Sequence, residues 1–266
     1  MKTADSDRRR FCLTIAYDGS GFEGWQSQRG GNTIQDTLDR AIARIHPDAS
    51  GVQGSGRTDA GVHALGQVAH FDVPLTLSMD GAAWQRALNS VLPGTIRILK
   101  CCPVAPEFHA RFSASGKIYR YEWFTGNVLS PLRLGRAWHV RNCPDETLIH
   151  EASALFQGTH NFASFSANRG EPKERKIDTV RRIDRIEVCR DGNEWVALFD
   201  GEGFLYKMVR MLVGAMVRCG QGACSLEDLR ERLERPDNSR KSPMAAPPDG
   251  LYLVEVRYPS GEGPQK

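Results

Sequence analysis

The sequence lacks several features that mark common classes of protein. It contains no apolar run of about 18 residues, which argues against a membrane-spanning helix. It contains no P-loop and no dinucleotide-binding glycine fingerprint, so we expect no nucleotide cofactor. Its seven cysteines form no C-x-x-C pair and no Cys/His set with zinc spacing, so we expect reduced thiols and no metal. The net charge of +3 is too small to indicate a nucleic-acid partner by itself.

The composition is that of a globular protein with a sizeable core. The chain has 266 residues, of which 40% are hydrophobic and 25% charged, enough for one large domain or two ordinary ones. Residues 1–10, MKTADSDRRR, are polar and basic without an apolar signal segment, so we expect a disordered tail and a cytoplasmic location. Prolines in residues 103–106 suggest a boundary between an N-terminal domain, 11–105, and a C-terminal domain, 106–259, followed by a short tail, 260–266.

The first half follows an alternating pattern of strands and helices. Residues 11–17 and 66–73 read as strands, a helix is expected to begin near Thr33, and a second helix is expected over 79–91 before a strand at 96–102. Residues 50–53, which lead into the glycine-rich stretch that follows, are expected to form one more short strand. The resulting order is strand, helix, strand, strand, helix, strand, which is the ferredoxin-like split βαβ plan and also the plan of the RNA-recognition module.

The second half predicts another α/β domain. Residues 117–124 alternate along a strand, Asp191-Gly192 marks a hairpin turn, and helices are expected over 145–156, around Arg210 and over 225–234. Lys207, Arg210, Gly214 and Arg218 would share one helix face and suit an anion. The polar loop at 160–177 is a candidate for phosphate contact, because it carries four basic residues: Arg169, Lys173, Arg175 and Lys176.

One glycine-rich stretch, residues 54–63, combines an arginine and an aspartate between two predicted strands. Three glycines in eight residues suggest that the backbone approaches something closely. Arg57 and Asp59 lie two residues apart. On physical grounds two readings remain open: a polar hairpin with a surface ion pair, or an active-site loop with Asp59 as its chemical centre.

Four motifs resemble those of one enzyme family. G-R-T-D-A-G-V-H around Asp59 is the signature of the TruA-type tRNA pseudouridine synthases. The N-terminal Y-D-G-x-x-F-x-G-W-Q-x-Q also resembles that family, as does F-H-A-R-F-S-A with the Y-R-Y that follows it. F-L-x-x-M-V-R-x-x-V-G around Arg210 and the final G-L-Y-L extend the resemblance over nearly the whole chain.

This resemblance implies a fold, a reaction and a set of site residues. The fold is two ferredoxin-like, RRM-like α/β domains forming a continuous, mainly antiparallel sheet, with helices on one side and a catalytic cleft between the domains. The reaction is the isomerisation of uridine to pseudouridine at positions 38, 39 and 40 of tRNA, by a homodimer without cofactor or metal. Asp59 would be the catalytic nucleophile or base and Arg210 its partner. Tyr119 would stack on the target uracil, Arg57 would act as a wedge or contact an RNA phosphate, and Leu251 or Leu253 would line the uracil pocket.

Other readings stay open at this point. A pseudouridine synthase with different RNA targets would carry the same motifs, and an inactive tRNA-binding protein would keep the same fold. A glycosidase would need a second carboxylate near Asp59, and the loop offers none, since Asp72 lies thirteen residues away. Tyr119 could equally be a cross-strand packing residue, and the two leucines could be core residues. The sequence does not choose whether Asp59 attacks the base, attacks C1′ or removes a sugar proton.

Overall fold

A computed structural model of the chain describes residues 7–167, 178–236, 242, 244–261 and 263–264. The four basic residues predicted to contact phosphate, at positions 169–176, lie outside the described residues. The chain divides into two compact units, one made of Met1–Ser115 with Tyr252–Lys266 and the other of Gly116–Leu251. The second unit therefore begins later than the boundary expected after residue 105. The last strand, expected in the C-terminal domain, is grouped with the first unit.

The described residues contain ten strands and five α-helices. The strands are β1 (Arg8–Tyr17), β2 (Gln53–Gly54), β3 (His63–Pro74), β4 (Ile96–Val104), β5 (Gly116–Phe124), β6 (Trp138–His139), β7 (Gly158–Asn161), β8 (Val180–Asp191), β9 (Glu194–Gly201) and β10 (Leu251–Arg257). The helices are α1 (Ile34–Ile45), α2 (Gly81–Val91), α3 (Glu146–Leu155), α4 (Met208–Gly220) and α5 (Leu226–Glu234).

The sheet of the first unit has the predicted ferredoxin-like order. β1 lies between β4 and β3 and is antiparallel to both. The other edge of β3 is shared: β2 pairs antiparallel near His70, and β10 pairs parallel with Tyr252 opposite His63. The final strand of the chain therefore extends the edge on which the Asp59 loop begins and ends.

The first strand begins earlier than expected. Residues 8–10 were assigned to a disordered tail, but they belong to β1 and pair with β3. The guanidinium of Arg10 forms two hydrogen bonds with the carboxylate of Asp72, at 2.7 and 2.8 Å. Arg9 donates to the carbonyls of Leu77 and Met79. These partners lie more than 60 residues away in sequence, so a local pattern of charge could not reveal them. Residues 1–6 of the expected tail lie outside the described part of the chain.

Side-chain caps begin most of the helices, and those of α1 and α5 lie where the sequence predicted, whereas α2 begins two residues later than expected. Thr33 accepts a hydrogen bond from the amide of Asp36 at the start of α1, and Asp80 accepts one from Ala83 at the start of α2. Ser225 and Asp228 form a complete capping box for α5. Each such cap stabilises a helix by about 1 kcal/mol, because it satisfies an amide that has no partner within the helix.

Aromatic side chains form the core of the first unit. The ring of Trp84, on α2, lies 5.0 Å from the ring of Phe71 on β3, and Phe71 lies 5.8 Å from Phe11 on β1. All three side chains are fully buried. This cluster joins α2 to the sheet, and large aromatic rings contribute most of the burial energy in such a core.

The second unit has its own antiparallel sheet, in the order β5-β9-β8-β7, with β6 parallel to β5. The β8–β9 hairpin turns at Asp191-Gly192 as predicted, with Gly192 at a φ of +58°. Trp123 on β5 stacks on Trp195 on β9 with ring centroids 5.4 Å apart. The fold is thus mixed α/β with mainly antiparallel strands, as the sequence predicted. None of the described helices is long and apolar enough to cross a lipid bilayer.

Helix α4 differs from its prediction. All its residues except Arg218 are buried, so the helix is central and does not present a basic stripe to solvent. Lys207 precedes the helix in a left-handed conformation, with a φ of +58°, and is not on the predicted face. The anion-binding face proposed from Lys207, Arg210, Gly214 and Arg218 therefore does not exist on this helix.

Candidate active site

The Asp59 loop, residues 55–62, joins β2 to β3 and is held at several points by its backbone. The amide of Ser55 donates to the carbonyl of Val68 at 2.7 Å, and the buried amide side chain of Gln67 donates to the carbonyl of Gly56, also at 2.7 Å. The amide of Trp25 donates to the carbonyl of Thr58 at 3.0 Å. These three hydrogen bonds fix the loop within the first unit.

Close backbone approach explains two glycines around this loop. A Cβ on Gly54 would lie 2.4 Å from the Trp25 ring, and one on Gly24 would lie 2.6 Å from the carbonyl oxygen of Thr58. Gly24 also has a φ of +94°, which side-chain-bearing residues rarely adopt. The close approach predicted from the glycine pattern is confirmed, and the group approached is the buried ring of Trp25. Trp25 thus fills the space beneath the loop.

Asp59 opens a tight turn. Its carbonyl accepts a hydrogen bond from the amide of Val62 at 3.1 Å, and Gly61, the third residue of the turn, has a φ of +79°. A positive φ at this position is the mark of a type II turn. Asp59 is half-buried, whereas Arg57 is exposed. The turn fixes the backbone beneath the Asp59 carboxylate while leaving that residue accessible.

A buried hydroxyl pair fixes the residue before Asp59. The phenol oxygen of Tyr17 lies 2.8 Å from the hydroxyl oxygen of Thr58, and both side chains are buried. Burial raises the pKa of Tyr17 to about 12, although its hydrogen bond to Thr58 acts in the opposite direction. Tyr17 therefore stays protonated at neutral pH and keeps the hydrogen bond. Sequence reasoning did not identify this pair, because the two residues lie 41 positions apart.

The end of the same loop meets the last strand of the chain. His63, the final residue of the G-R-T-D-A-G-V-H motif, stacks on Tyr252 with ring centroids 4.7 Å apart. Its Nδ1 accepts a hydrogen bond from the amide of Gly19 at 3.1 Å and lies 3.3 Å from a carboxylate oxygen of Asp18. Three of the recognised motifs therefore converge on one buried histidine. The sequence suggested the motifs but not this contact.

In the second unit, Arg210 holds a backbone segment. Its side chain is 9% exposed, and Nε donates to the carbonyl of Ala246 at 2.7 Å. The amide of Ala246 donates back to the carbonyl of Arg210 at 2.9 Å. A Cβ on Gly214, one turn further along α4, would lie 2.4 Å from the carbonyl oxygen of Met244. Gly214 thus serves the close approach of this segment to the helix.

The same segment is fixed from the strand side by Tyr121. Its hydroxyl donates to the carbonyl of Pro247 at 2.8 Å, and its ring lies against Gly250. Burial raises the pKa of Tyr121 well above its usual value, with the charge of Arg210 opposing the shift. Leu251, which follows Gly250, is buried. Residues 244–251 therefore connect Arg210 with Leu251, a link between positions about 40 residues apart that no local sequence pattern indicates.

Tyr119 lies two residues before Tyr121 on β5 and so points to the same face of the strand. It pairs with Phe199 in the sheet and is 8% exposed. Its ring lies 5.1 Å from the ring of Phe204, nearly edge-on at 81°. Tyr119 therefore packs within the second unit, against Phe204, as the alternative interpretation of this residue predicted. Its stacking on uracil stays a prediction.

The predicted site residues fall in both compact units. Asp59 and Arg57 belong to the first, and Tyr119, Arg210 and Leu251 belong to the second. The cleft that would bring them together stays a prediction. Among the described residues, no three His, Cys, Asp or Glu side chains are grouped closely enough to hold a metal ion.

Comparison with known proteins identifies the family. A family model described as tRNA pseudouridine synthase matches residues 13–113 and 152–259. The tRNA pseudouridine synthase A of Akkermansia muciniphila is 46% identical over 252 residues, which cover 94% of this chain and 95% of that protein. The proteins of the same name from Methylacidiphilum infernorum and Limosilactobacillus fermentum are 43% and 41% identical, covering 93% and 94% of this chain and 94% and 96% of their own lengths. These matches span both units, and the chain therefore belongs to the tRNA pseudouridine synthase family.

Proposed function

We propose that this protein isomerises uridine to pseudouridine at positions 38, 39 and 40 of tRNA, with Asp59 as the catalytic carboxylate. The observation that supports the proposal most directly is that hydrogen bonds fix the backbone around Asp59, which lies in the family's signature motif. Its turn is closed by Val62, and its neighbour Thr58 is bonded to Tyr17 and Trp25. A reacting group must be held in place before the substrate arrives, because ordering it later would raise the barrier.

The proposed reaction conserves every atom. The N1–C1′ bond of uridine breaks, the base rotates, and a C5–C1′ bond forms. The proton displaced from C5 is lost and N1 gains one, so the product is an isomer and no electrons are exchanged. The carboxylate of Asp59 would act at the base, at C1′ or on a sugar proton, and each of these routes requires it beside the glycosidic bond.

The other residues have positioning roles in this proposal. Arg210, oriented by the Ala246 carbonyl, would present its guanidinium to the Asp59 carboxylate. Tyr119 would stack on the uracil after the nucleotide leaves the helical stack, and Leu251 or Leu253 would form a pocket wall. Arg57, exposed two residues before Asp59, would contact the RNA backbone. The proposal includes a homodimer in the cytoplasm that binds tRNA and requires no cofactor.

The test is primer extension on an unmodified tRNA transcript after carbodiimide treatment, which stops the polymerase at pseudouridine. Wild-type protein should produce stops in the anticodon arm, and Asp59→Asn should produce none while still binding the transcript. Transcripts with cytidine at 38, 39 or 40 should each lose one stop. Product from Asp59→Asn would remove Asp59 from the chemistry. Tight binding without product from the wild type would support an RNA-binding protein instead.

A further inference from the structure

One large aromatic side chain in the first unit is unusually exposed. Phe112, within F-H-A-R-F-S-A, is 77% exposed, while Phe108 in the same motif is buried. The catalytic roles proposed above do not use Phe112. Because single apolar side chains are common on protein surfaces, this exposure is informative only together with how the ring is held and what surrounds it.

The turn that carries Phe112, residues 108–113, is held by one imidazole. Nδ1 of His109 accepts hydrogen bonds from the amides of Arg111 and Phe112, at 3.1 and 3.3 Å. The amide of Ser113 donates to the carbonyl of His109, and the hydroxyl of Ser113 accepts from the amide of His109. Burial, followed by the charge of Arg10, lowers the pKa of His109, which favours the neutral ring that can accept at Nδ1.

The turn is also fixed to the body of the unit. Ala110 donates to Nδ1 of His70 at 3.2 Å, and its carbonyl accepts from the hydroxyl of Tyr258 at 2.6 Å. Arg10 donates to the carbonyl of Phe108 at 2.8 Å. Phe112 is therefore presented by a rigid base, so little conformational entropy remains to be lost when a ligand covers the ring.

The surroundings of the ring suit a nucleotide. The His109 ring supports one side of Phe112 at 4.4 Å between centroids. The guanidinium carbon of the exposed Arg111 lies 5.7 Å from the centre of the Phe112 ring. An aromatic face beside a guanidinium is the combination that single-stranded nucleic acids bind, since every base can stack and every phosphate is anionic.

The turn is close to the Asp59 loop within the same unit. Nε2 of His109 lies 3.1 Å from the side-chain oxygen of Gln53. Gln53 precedes Asp59 by six residues, which extended chain could span in at most about 20 Å. Stacked nucleotides rise about 3.4 Å each, so at most about six stacked nucleotides would span the separation between Gln53 and Asp59.

We propose that Phe112, with Arg111 beside it, is a second base-stacking site, which binds an unpaired nucleotide of the tRNA away from the target uridine. This inference rests on the proposed function. It makes Phe112 a substrate-positioning residue that acts on binding and takes no part in the chemical step. The ring would stack on any base, so the site would contribute affinity and register with little sequence preference.

The test compares four variants in steady-state pseudouridine formation on a full-length tRNA transcript. Phe112→Ala should raise KM at least about fivefold with kcat unchanged, because losing about 1 kcal/mol of stacking weakens binding by that factor. Phe112→Trp should restore KM, whereas Phe112→Leu should not, since leucine is apolar but has no aromatic face. Leu99→Ala is the control: Leu99 is an apolar side chain of the same unit that is 50% exposed, and its replacement should leave KM and kcat at the wild-type values.

Different failures have different meanings. An unchanged KM for Phe112→Ala, beside an active wild type, would overturn the stacking site and leave the proposed function intact. Full rescue by leucine, or a loss of oligomer mass for Phe112→Ala in analytical ultracentrifugation, would show instead that Phe112 contacts a second copy of the chain. A wild type that forms no pseudouridine in tRNA would overturn the proposed function and this inference with it.

Discussion

The position of Asp59 depends on residues that perform no chemistry themselves. Thr58 is the clearest of these: its carbonyl is bonded to Trp25 and its hydroxyl to Tyr17. Because neither partner is a neighbour in sequence, the two hydrogen bonds tie the loop to β1 and to the turn that follows it. Substitutions at Thr58, Tyr17 or Trp25 should therefore shift the position of the Asp59 carboxylate.

Thr58→Val should reduce stability by about 1–3 kcal/mol, because it leaves the buried phenol of Tyr17 without its partner. The single-turnover rate should fall as well, since the loop loses an anchor beside Asp59. Thr58→Ser, which keeps the hydroxyl, is the control. Tyr17→Phe combined with Thr58→Val should recover part of the stability, because the two buried hydroxyls that bond to each other are then both removed. Denaturant unfolding of the wild type, Thr58→Val, Tyr17→Phe and the double variant would refute this account if the two single losses simply added.

Arg210→Lys should lower turnover at least a hundredfold while changing the free energy of unfolding by only about 1 kcal/mol. Lysine keeps the charge but has no planar guanidinium. It therefore cannot donate one hydrogen bond to the Ala246 carbonyl and, at the same time, offer two parallel N–H donors to the Asp59 carboxylate. Single-turnover kinetics and thermal unfolding would separate the two effects. A variant that is strongly destabilised but normally active would make Arg210 a structural residue only.

At the scale of elements, α4 and residues 244–251 pack together as one structural unit. The helix is buried nearly all round, and the segment crosses it at Gly214 before passing Arg210 and Tyr121. The segment has few backbone bonds of its own in the described residues, so its path depends on this close approach.

Gly214→Ala should therefore be destabilising, by about 1–3 kcal/mol, although alanine favours helices. The new Cβ would lie 2.4 Å from a backbone oxygen, which is a clash that outweighs the gain in helix propensity of up to about 1 kcal/mol. Activity should fall with it, because the carbonyls that hold Arg210 and Tyr121 would move. Gly94→Ala is the control, since its nearest neighbour is the flexible end of Arg97 at 3.7 Å. Equal melting temperatures for the two variants would contradict the argument.

The elements that could be predicted are those whose signals are local. Caps at Thr33 and Ser225 and the Gly192 turn lie within a few residues of the structures they determine. The start of β1 was predicted wrongly because Arg10 finds its partner, Asp72, 62 positions away. The G-R-T-D-A-G-V-H motif indicated Asp59, and Tyr17 and Tyr252 lie in two other recognised motifs. Their contacts with the loop could not be predicted, because they come from strands distant in sequence.

At the scale of the whole molecule, stability should depend on pH through His70. Its ring is 2% exposed, accepts a hydrogen bond from Ala110, and touches His109 and Phe108. Burial, followed by the charges of Arg10 and His109, lowers the pKa of His70 to about 4. Between the two pKa values the unfolded chain binds a proton that the folded chain does not.

We therefore expect the stabilisation from neutral His70 to be complete above about pH 6.5 and to be lost as the pH falls towards 4, by at most about 1.4 kcal/mol per pH unit. His70→Asn keeps an acceptor for Ala110 but does not titrate, so it should flatten this part of the profile. The exposed His150→Asn provides the control. Urea unfolding at a series of pH values measures the slope, and a profile unchanged by His70→Asn would refute the assignment.

The return of the last strand to the first unit has a consequence for biosynthesis. The first unit is interrupted after Ser115 and resumes at Tyr252, whose ring covers His63 at the end of the Asp59 loop. About 140 residues must be translated between these points, which takes on the order of ten seconds at about 5–20 residues per second. During that interval the nascent chain holds the loop with an open edge on β3. The Asp59 loop is thus among the first parts to leave the ribosome and among the last to be completed.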